Sequence, residues 1–379
     1  MHQLIIRMTG MQSAPKTPIR KQKRQASAYI HKLVKLRALI LSLLVLRLLL
    51  GNLAPAQELR PYSHPFSSWV SVLDTGAKGD GVTDDSAAIL RAVRRAIERG
   101  RNGGNVVYFP PARCYNIASP LDLPDPPVRV MLFLDSCLNL NATVTIHGMY
   151  NLHGNSSGAK VAFSTDNLAD LSAGYKVAPA IRIQGGGTRL ENLAIGYIRG
   201  NADGIVIDHS ARVVLKNVWV QMDQNNKVGV PLKITGGYGY EIEDGGYSAA
   251  WDSTSASIQI NEDSVACNWT GIVRMRHAFL SSHGIVVNER CGGVNSLSFE
   301  DILYENARDP FLTIFALGGS GVWGIDLRGV NFADSQNPAP PMIYVHSPAH
   351  RVRSISVINS ITDGSKILDG DAVTGVNIW

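Results

Sequence analysis

The residues able to do chemistry fall in three clusters in the second half of the 379-residue chain. Asp203 stands close before Asp208 and His209, Glu262 and Asp263 form an acidic pair, and His283 precedes Glu289 and Arg290. Paired carboxylates are what hydrolysis of a glycosidic bond requires. One acts as acid, and for inversion a second lies about 6.5–9.5 Å away to activate water. The catalytic candidates are therefore Asp203, Asp208, Glu262, Asp263, His283 and Glu289. His209 and Arg290 sit at the edge of this acidic set, and Lys233 lies between its members, so all three read as substrate-binding.

A further stretch, GYGYEIEDGGYSAAWDS at 237–253, mixes aromatic rings with acids. Rings stack on sugar faces, so Tyr238, Tyr240 and Trp251 are candidates for a binding lip. Glu241, Glu243 and Asp244 offer the oxygen ligands that Ca²⁺ prefers. A lyase working by β-elimination on an acidic sugar would need that ion, with Lys233 or an arginine as base. Hydrolysis needs no cofactor. No C-x-x-C or histidine cluster points to zinc, and no metal ligand is assigned.

Positioning such residues requires a scaffold, and a repeat supplies one. A short apolar–x–apolar phrase begins at Ile181, Ile205, Leu232, Ile258, Ile285, Leu312 and Ile343, at intervals of 24, 27, 26, 27, 27 and 31 residues. Each phrase is followed by a polar or glycine turn and a second strand-like segment, such as LENLAI at 190–195. A period in the mid-twenties with short β-branched strands predicts a parallel β-helix. Alternation then sends the outer two positions of each phrase inward. The middle residues form an outward column, Arg182, Val206, Lys233, Gln259, Val286, Thr313 and Tyr344. The residues after each phrase form another: Gln184, Asp208, Thr235, Asn261, Asn288, Phe315 and His346. A long hydrogen-bonding face suits an extended, hydroxyl-rich polymer. Glu262 and Glu289 are expected in the same turn of adjacent coils, sharing an acidic patch with Asp208.

Residues 71–111 form the entrance to the repeat. Thr83 reads as a helix N-cap with Asp84 and Asp85 in the first turn. Ala88, Ile89, Ala92, Val93, Ala96 and Ile97 make an apolar stripe, and Gly100 ends the helix. Local capping accounts for Asp80, Asp84 and Asp85 without catalysis. The motif D-T-G-A-K-G-D-G-V-T-D-D-S-A-A-I followed by G-G-N-V-V-Y-F-P-P resembles the N-terminal signature of the pectate-lyase-like superfamily, with its rhamnogalacturonase- and epimerase-like domains and family-28-related glycosidases. The resemblance implies an all-β, single-stranded right-handed parallel β-helix whose N-terminal helix covers the first coil. It also implies action on a pectin-like or other acidic polysaccharide by hydrolysis, elimination or epimerisation, or binding alone. Polygalacturonase motifs are only echoed, in Asn201-Ala202-Asp203-Gly204 and Ser282-His283-Gly284, and the D-D pair and R-I-K element are missing. Hydrolysis is the favoured expectation. A lyase and a non-catalytic adhesin or tailspike-like binder are the alternatives, the last compatible with a homotrimer.

The net charge of +5 belongs to the leader. Residues 1–56 hold ten Lys/Arg and no acid, leaving 26 basic against 31 acidic residues, a net of −5, for the remainder. Nucleic acid is thereby not an expected partner. The apolar run Ala38–Leu46 and Ala54-Pro55-Ala56 read as a signal peptide or uncleaved anchor, predicting a secreted, periplasmic or cell-surface protein. Any membrane contact would be through that leader. Residues 57–70 read as a linker and 71–379 as the β-helix, with 71–111 the capping motif and 180–367 the regular coils. The cysteines 114, 137, 267 and 291 admit three pairings, and Cys267 and Cys291 lie about one repeat apart.

Overall fold

The computed structural model describes residues 66–100, 105–155, 169–173 (backbone only), 179–260, 269–333, 339–361 and 364–379. The leader, where an export signal is expected, lies outside these, as do Glu262, Asp263 and Cys267. Among the described residues no helix is long and apolar enough to cross a membrane.

All seven repeat phrases are strands, and each pairs in parallel with the next. Face A stacks Ile181–Gln184, Ile205–Ala211, Leu232–Glu243, Ile258–Ile260, Ile285–Glu289, Leu312–Ala316 and Ile343–His346. Earlier, less regular coils extend it through Leu121–Leu123 and Val144–His147. Two more parallel ladders complete each coil. Face B carries segments such as Val294–Glu300 and Val322–Arg328, and face C carries Phe279–Ser281 and Leu303–Glu305. The result is a parallel β-helix. Its core is the inward column that alternation demands, with Ile181, Ile183, Ile205, Ile207, Leu232, Ile234, Ile285 and Val287 all buried.

Single residues turn the chain between faces B and C. Asn192, Asn217, Asp244, His277, Asp301 and Asn359 all have positive φ. Asn and Asp tolerate this left-handed conformation better than other residues with a Cβ. Asn217 Nδ2 donates to Asn192 Oδ1 at 3.0 Å, so neighbouring corners brace one another. The residues just before the first five of these corners and before the glycine corner Gly329 alternate in charge along the ladder, Glu191, Lys216, Glu243, Arg276, Glu300 and Arg328.

The N-terminal helix α1 spans Ser86–Arg99 and buries Ala88, Ile89, Ala92, Val93 and Ala96. It covers the first coil as expected, but it begins later than the sequence suggests. Thr83 is not its N-cap, and Asp84 and Asp85 are not in its first turn. Residues Asp80–Asp84 are a strand and Asp85 is the cap residue. The carboxylates themselves impose this. Asp80 accepts from the Val82 and Thr83 amides and from the Thr83 hydroxyl. Asp84 accepts from Ser86 and Ser119, and Asp85 from the amides of Lys78, Gly79 and Asn116. All three acids are thus structural ties. The hydroxyl of Thr83, followed by the two amides, lowers the pKa of Asp80 to about 2.

Cys114 and Cys137 form a disulfide between adjacent rungs, Cα to Cα 4.7 Å, and Cys291 is also disulfide-bonded.

Candidate functional site

Among the described residues face A presents the two columns in the expected register, with Asn261 outside those residues and with Val206 and Thr235 buried rather than outward. Arg182 lies beside Val206 and Lys233, and Gln184 lies beside Asp208 and Thr235. Asp208 is the hub. Arg182 Nη1 approaches its Oδ2 at 3.1 Å and Gln184 Nε2 donates to the same oxygen at 2.8 Å. His209 Nδ1 is 2.6 Å from Oδ1, and the Thr235 hydroxyl donates to Oδ1 at 3.2 Å. Burial raises the pKa of Asp208, but hydrogen bonds from Gln184, His209 and Arg182 and the charge of His209 outweigh it and hold the carboxyl below its ordinary value. It is therefore ionised wherever the protein works near neutrality. His209 stands outward because its backbone is left-handed, φ 50°. Arg182 and Lys233 flank the carboxylate at the neighbouring rungs, with Lys233 half-buried. Further along, Asn288, Phe315 and His346 continue the column, and the rings of the last two meet edge-on at 6.2 Å.

The other candidates do not join this hub. Glu289 is fully buried. The alternation that turns Asn288 outward turns Glu289 inward, two residues after Val287. Its Oε2 accepts the Gly318 amide at 3.0 Å, while Oε1 has no partner. Glu289 therefore does not contribute to the acidic patch expected on the surface. Arg290, the next residue, is exposed. Asp203 ties a turn, its Oδ1 accepting the Val230 amide at 2.9 Å. Glu262 and Asp263 lie outside the described residues.

His283 sits in the turn from face C to face A and is buried. Both ring nitrogens face acceptors, Nδ1 at 2.5 Å from Asp309 Oδ2 and Nε2 at 3.3 Å from the Trp251 carbonyl. Arg308 donates to that same carbonyl, and its guanidinium lies 5.2 Å from the centre of the Trp251 ring. With each nitrogen engaged, the imidazole is a fastener between three coils rather than a waiting base.

Of the aromatic lip, Tyr238 and Trp251 are exposed while Tyr240 is buried. The Tyr240 hydroxyl donates to the carbonyl of Ser210 at 2.7 Å and also to that of Gly236, and burial pushes its pKa up. A residue so enclosed cannot touch a polysaccharide. Gly239 between the two tyrosines has φ 77°, and this left-handed corner breaks the strand alternation, leaving Tyr238 outside and Tyr240 inside. The carboxylates considered for Ca²⁺ are also occupied. Glu243 pairs with Arg276 and, at 3.8 Å, with Lys216. Asp244 lies 3.6 Å from His277, and Glu241 is in register with Arg274. Glu243 is thus already paired with two cations. Among the described residues no cluster of three or more His, Cys, Asp or Glu forms a metal site.

Sequence reasoning missed the partners of these residues. Asp309 and Arg308 lie one coil beyond His283, and only the fold brings them to it. Gln184 and Thr235 were legible as column members but not as donors to Asp208.

The family model for rhamnogalacturonase A/epimerase, pectate lyase-like proteins matches residues 69–270. The chain belongs to that family. No curated protein matches the sequence. Among solved structures, this pectate lyase-like chain is similar to the Agl-KA catalytic domain, with 10% identity over 84% of this chain and 69% of the other at a TM-score of 0.39. It is also similar to the A-module of mannuronan C-5 epimerase AlgE4 from Azotobacter vinelandii, with 18% identity, 82% and 97% coverage and a TM-score of 0.30. PfbA, a surface adhesin of Streptococcus pneumoniae, shows 12% identity, 82% and 91% coverage and a TM-score of 0.31. Likenesses this distant carry no argument about activity.

Proposed function

We propose that this pectate lyase-like protein acts on an acidic polysaccharide laid along face A, with Asp208 at the centre of the contact. One observation carries the reading. An ionised carboxylate is held by four donors on an outward polar column, with Arg182 and Lys233 on the rungs to either side. The cations suit uronate groups, and the amides and hydroxyls of the column suit sugar hydroxyls. In cleavage by hydrolysis, Asp208 would be the carboxylate that activates water, its low pKa keeping it in the basic form. Export to a secreted or cell-surface location is part of the same proposal.

A binding-only role is the second reading. It is favoured by the separation of Asp208 from Glu289 and His283, which leaves no second candidate carboxylate facing it among the described residues. Incubating the purified protein with a panel of acidic and neutral polysaccharides decides between the two. New reducing ends mark hydrolysis, and absorbance from an unsaturated product marks elimination. Retention on the acidic polymers without either product leaves the binder. Equal retention by an Asp208→Asn, Arg182→Ala variant would overturn face A as the contact.

A further inference from the structure

An exposed aromatic row runs where face A turns into face B, away from Asp208. Tyr238, Trp269 and Trp323 are 44%, 43% and 37% exposed. The ladder connects them: Tyr238 pairs with Gly271, Gly271 with Asn295, Asn295 with Trp323 and Trp323 with Arg353. The row therefore lies along the solenoid axis, one position per rung, at about 4.8 Å per step.

Two glycines make room for the indoles. A Cβ on Gly271 would lie 2.6 Å from the Trp269 ring and 2.7 Å from Asn295 Oδ1. One on Gly293 would lie 2.9 Å from the Trp323 ring. Gly293 precedes Val294, which pairs with Val322. The Trp323 ring thus reaches back one rung, onto the strand that carries Asn295. The Trp269 ring and the Asn295 amide oxygen lie over Gly271, and the Trp323 ring lies over Gly293 on the next rung.

Packing does not account for this. Beneath the row the core is already closed by Val273, Val294, Leu297, Val322 and Ile325. Beside Gly271, Ile272 is 40% exposed and has φ 56°. Its left-handed backbone is the regular corner of the coil, shared in register with Gly239, Ser296, Gly324 and Ser354, and it leaves an apolar side chain exposed there. Exposed apolar rows rimmed by polar groups mark binding surfaces. Here the rim is cationic at both ends. Exposed Arg353 follows Trp323, and exposed Arg212 donates its amide to the Tyr238 carbonyl.

We propose that Trp269, Asn295 and Trp323, extended by Tyr238 and Arg353, form a second binding ledge for an acidic oligosaccharide, distinct from the Asp208 hub. The indoles stack on pyranose faces, the Asn295 amide bonds hydroxyls, and the terminal arginines meet uronate carboxylates. The ledge goes beyond the face A reading, because it holds sugar whether or not Asp208 takes part in cleavage.

The test titrates the full-length protein with tetragalacturonate and with its neutral galactose counterpart, following tryptophan fluorescence and calorimetry. The acidic probe is expected to change the emission, and Trp269→Ala and Trp323→Ala each to weaken binding roughly three- to tenfold. Arg353→Ala is expected to erase the preference for the acidic probe. Asp208→Asn should leave the emission change in place, which separates failure of the ledge from failure of face A. Folding is checked by circular dichroism, and Arg353→Ala carries the test alone if a tryptophan variant loses its fold. No emission change in the wild type would overturn the proposal. Unchanged affinity in a folded Trp269→Ala, Trp323→Ala double variant or unchanged preference in Arg353→Ala would also overturn it.

Discussion

Asp208 and Arg182 meet across one rung of face A, with guanidinium nitrogen and carboxylate oxygen 3.1 Å apart. The pairing exists because two residues 26 positions apart occupy neighbouring places in a parallel ladder. The folded state holds the pKa of Asp208 below 3.8, so its contribution to stability is fully present above that value. It is lost as pH falls through the lower folded-state pKa. The thermal midpoint should therefore drop on acidification below about pH 4, and drop less steeply in Asp208→Asn. At neutral pH the variant should be about 1–3 kcal/mol less stable, because Arg182, Gln184 and Thr235 lose a charged acceptor. Identical acid profiles for the two proteins would contradict this.

His283 should behave as a fastener. Removing it takes the imidazole from between the Asp309 carboxylate and the Trp251 carbonyl, leaving the latter to Arg308. His283→Ala is expected to cost about 1–3 kcal/mol in denaturant unfolding. Polysaccharide affinity of the folded protein should stay at the wild-type value. A folded variant that lost turnover at unchanged stability would restore His283 as a catalytic residue.

Glu289 and Gly318 make a contrasting pair. Glu289→Gln keeps an acceptor for the Gly318 amide and removes a buried charge whose other oxygen has no partner, so its midpoint should stay near the wild-type value. Gly318→Ala places a methyl group 2.2 Å from the Arg290 carbonyl oxygen and 2.3 Å from Glu289 Oε1. It should destabilise by about 1–3 kcal/mol. Equal midpoints for the two variants would show that the turn repacks freely.

Corner geometry predicts a third contrast. Asn217 turns the chain with φ 51° while its amide donates to Asn192. Asn217→Gly should lose only the side-chain bonds to Asn192 and Trp219, about 0.5–1.5 kcal/mol, since glycine adopts this conformation without strain. Asn217→Val should lose about 1–2 kcal/mol from the backbone alone, together with the bond to Asn192. Calorimetric midpoints of the two variants test it.

Much of the scaffold was legible in the chain, and the reason is periodicity. The phrases at Ile181, Ile205 and Leu232 repeat at the length of one coil, so the same local pattern that makes each strand also stacks it on the next. The apolar stripe of α1 was equally plain, since helical spacing is a local property. Its start lies later than helical spacing suggests because Asp80 and Asp84 use their carboxylates on nearby amides and hydroxyls, which shifts the first turn to Ser86.

The site was less legible. Column membership followed from alternation, and Asp208 with its neighbours Gln184 and Thr235 lay where the period puts them. Alternation applied one residue further along the strand Ile285–Glu289 also explains the inward Glu289. Composition alone makes that residue look like a surface acid.

The amino-acid order settled the repeat, the inward and outward columns and the capping helix, because each depends on spacings within a single coil. Which polar residues meet was decided only when the coils stacked. Asp309 reached His283, Arg308 reached the Trp251 carbonyl and Trp323 leaned over Gly293. Such contacts join residues one to several coils apart in sequence, and their geometry depends on side-chain direction at each rung. The period supplies the rungs but carries no record of those directions.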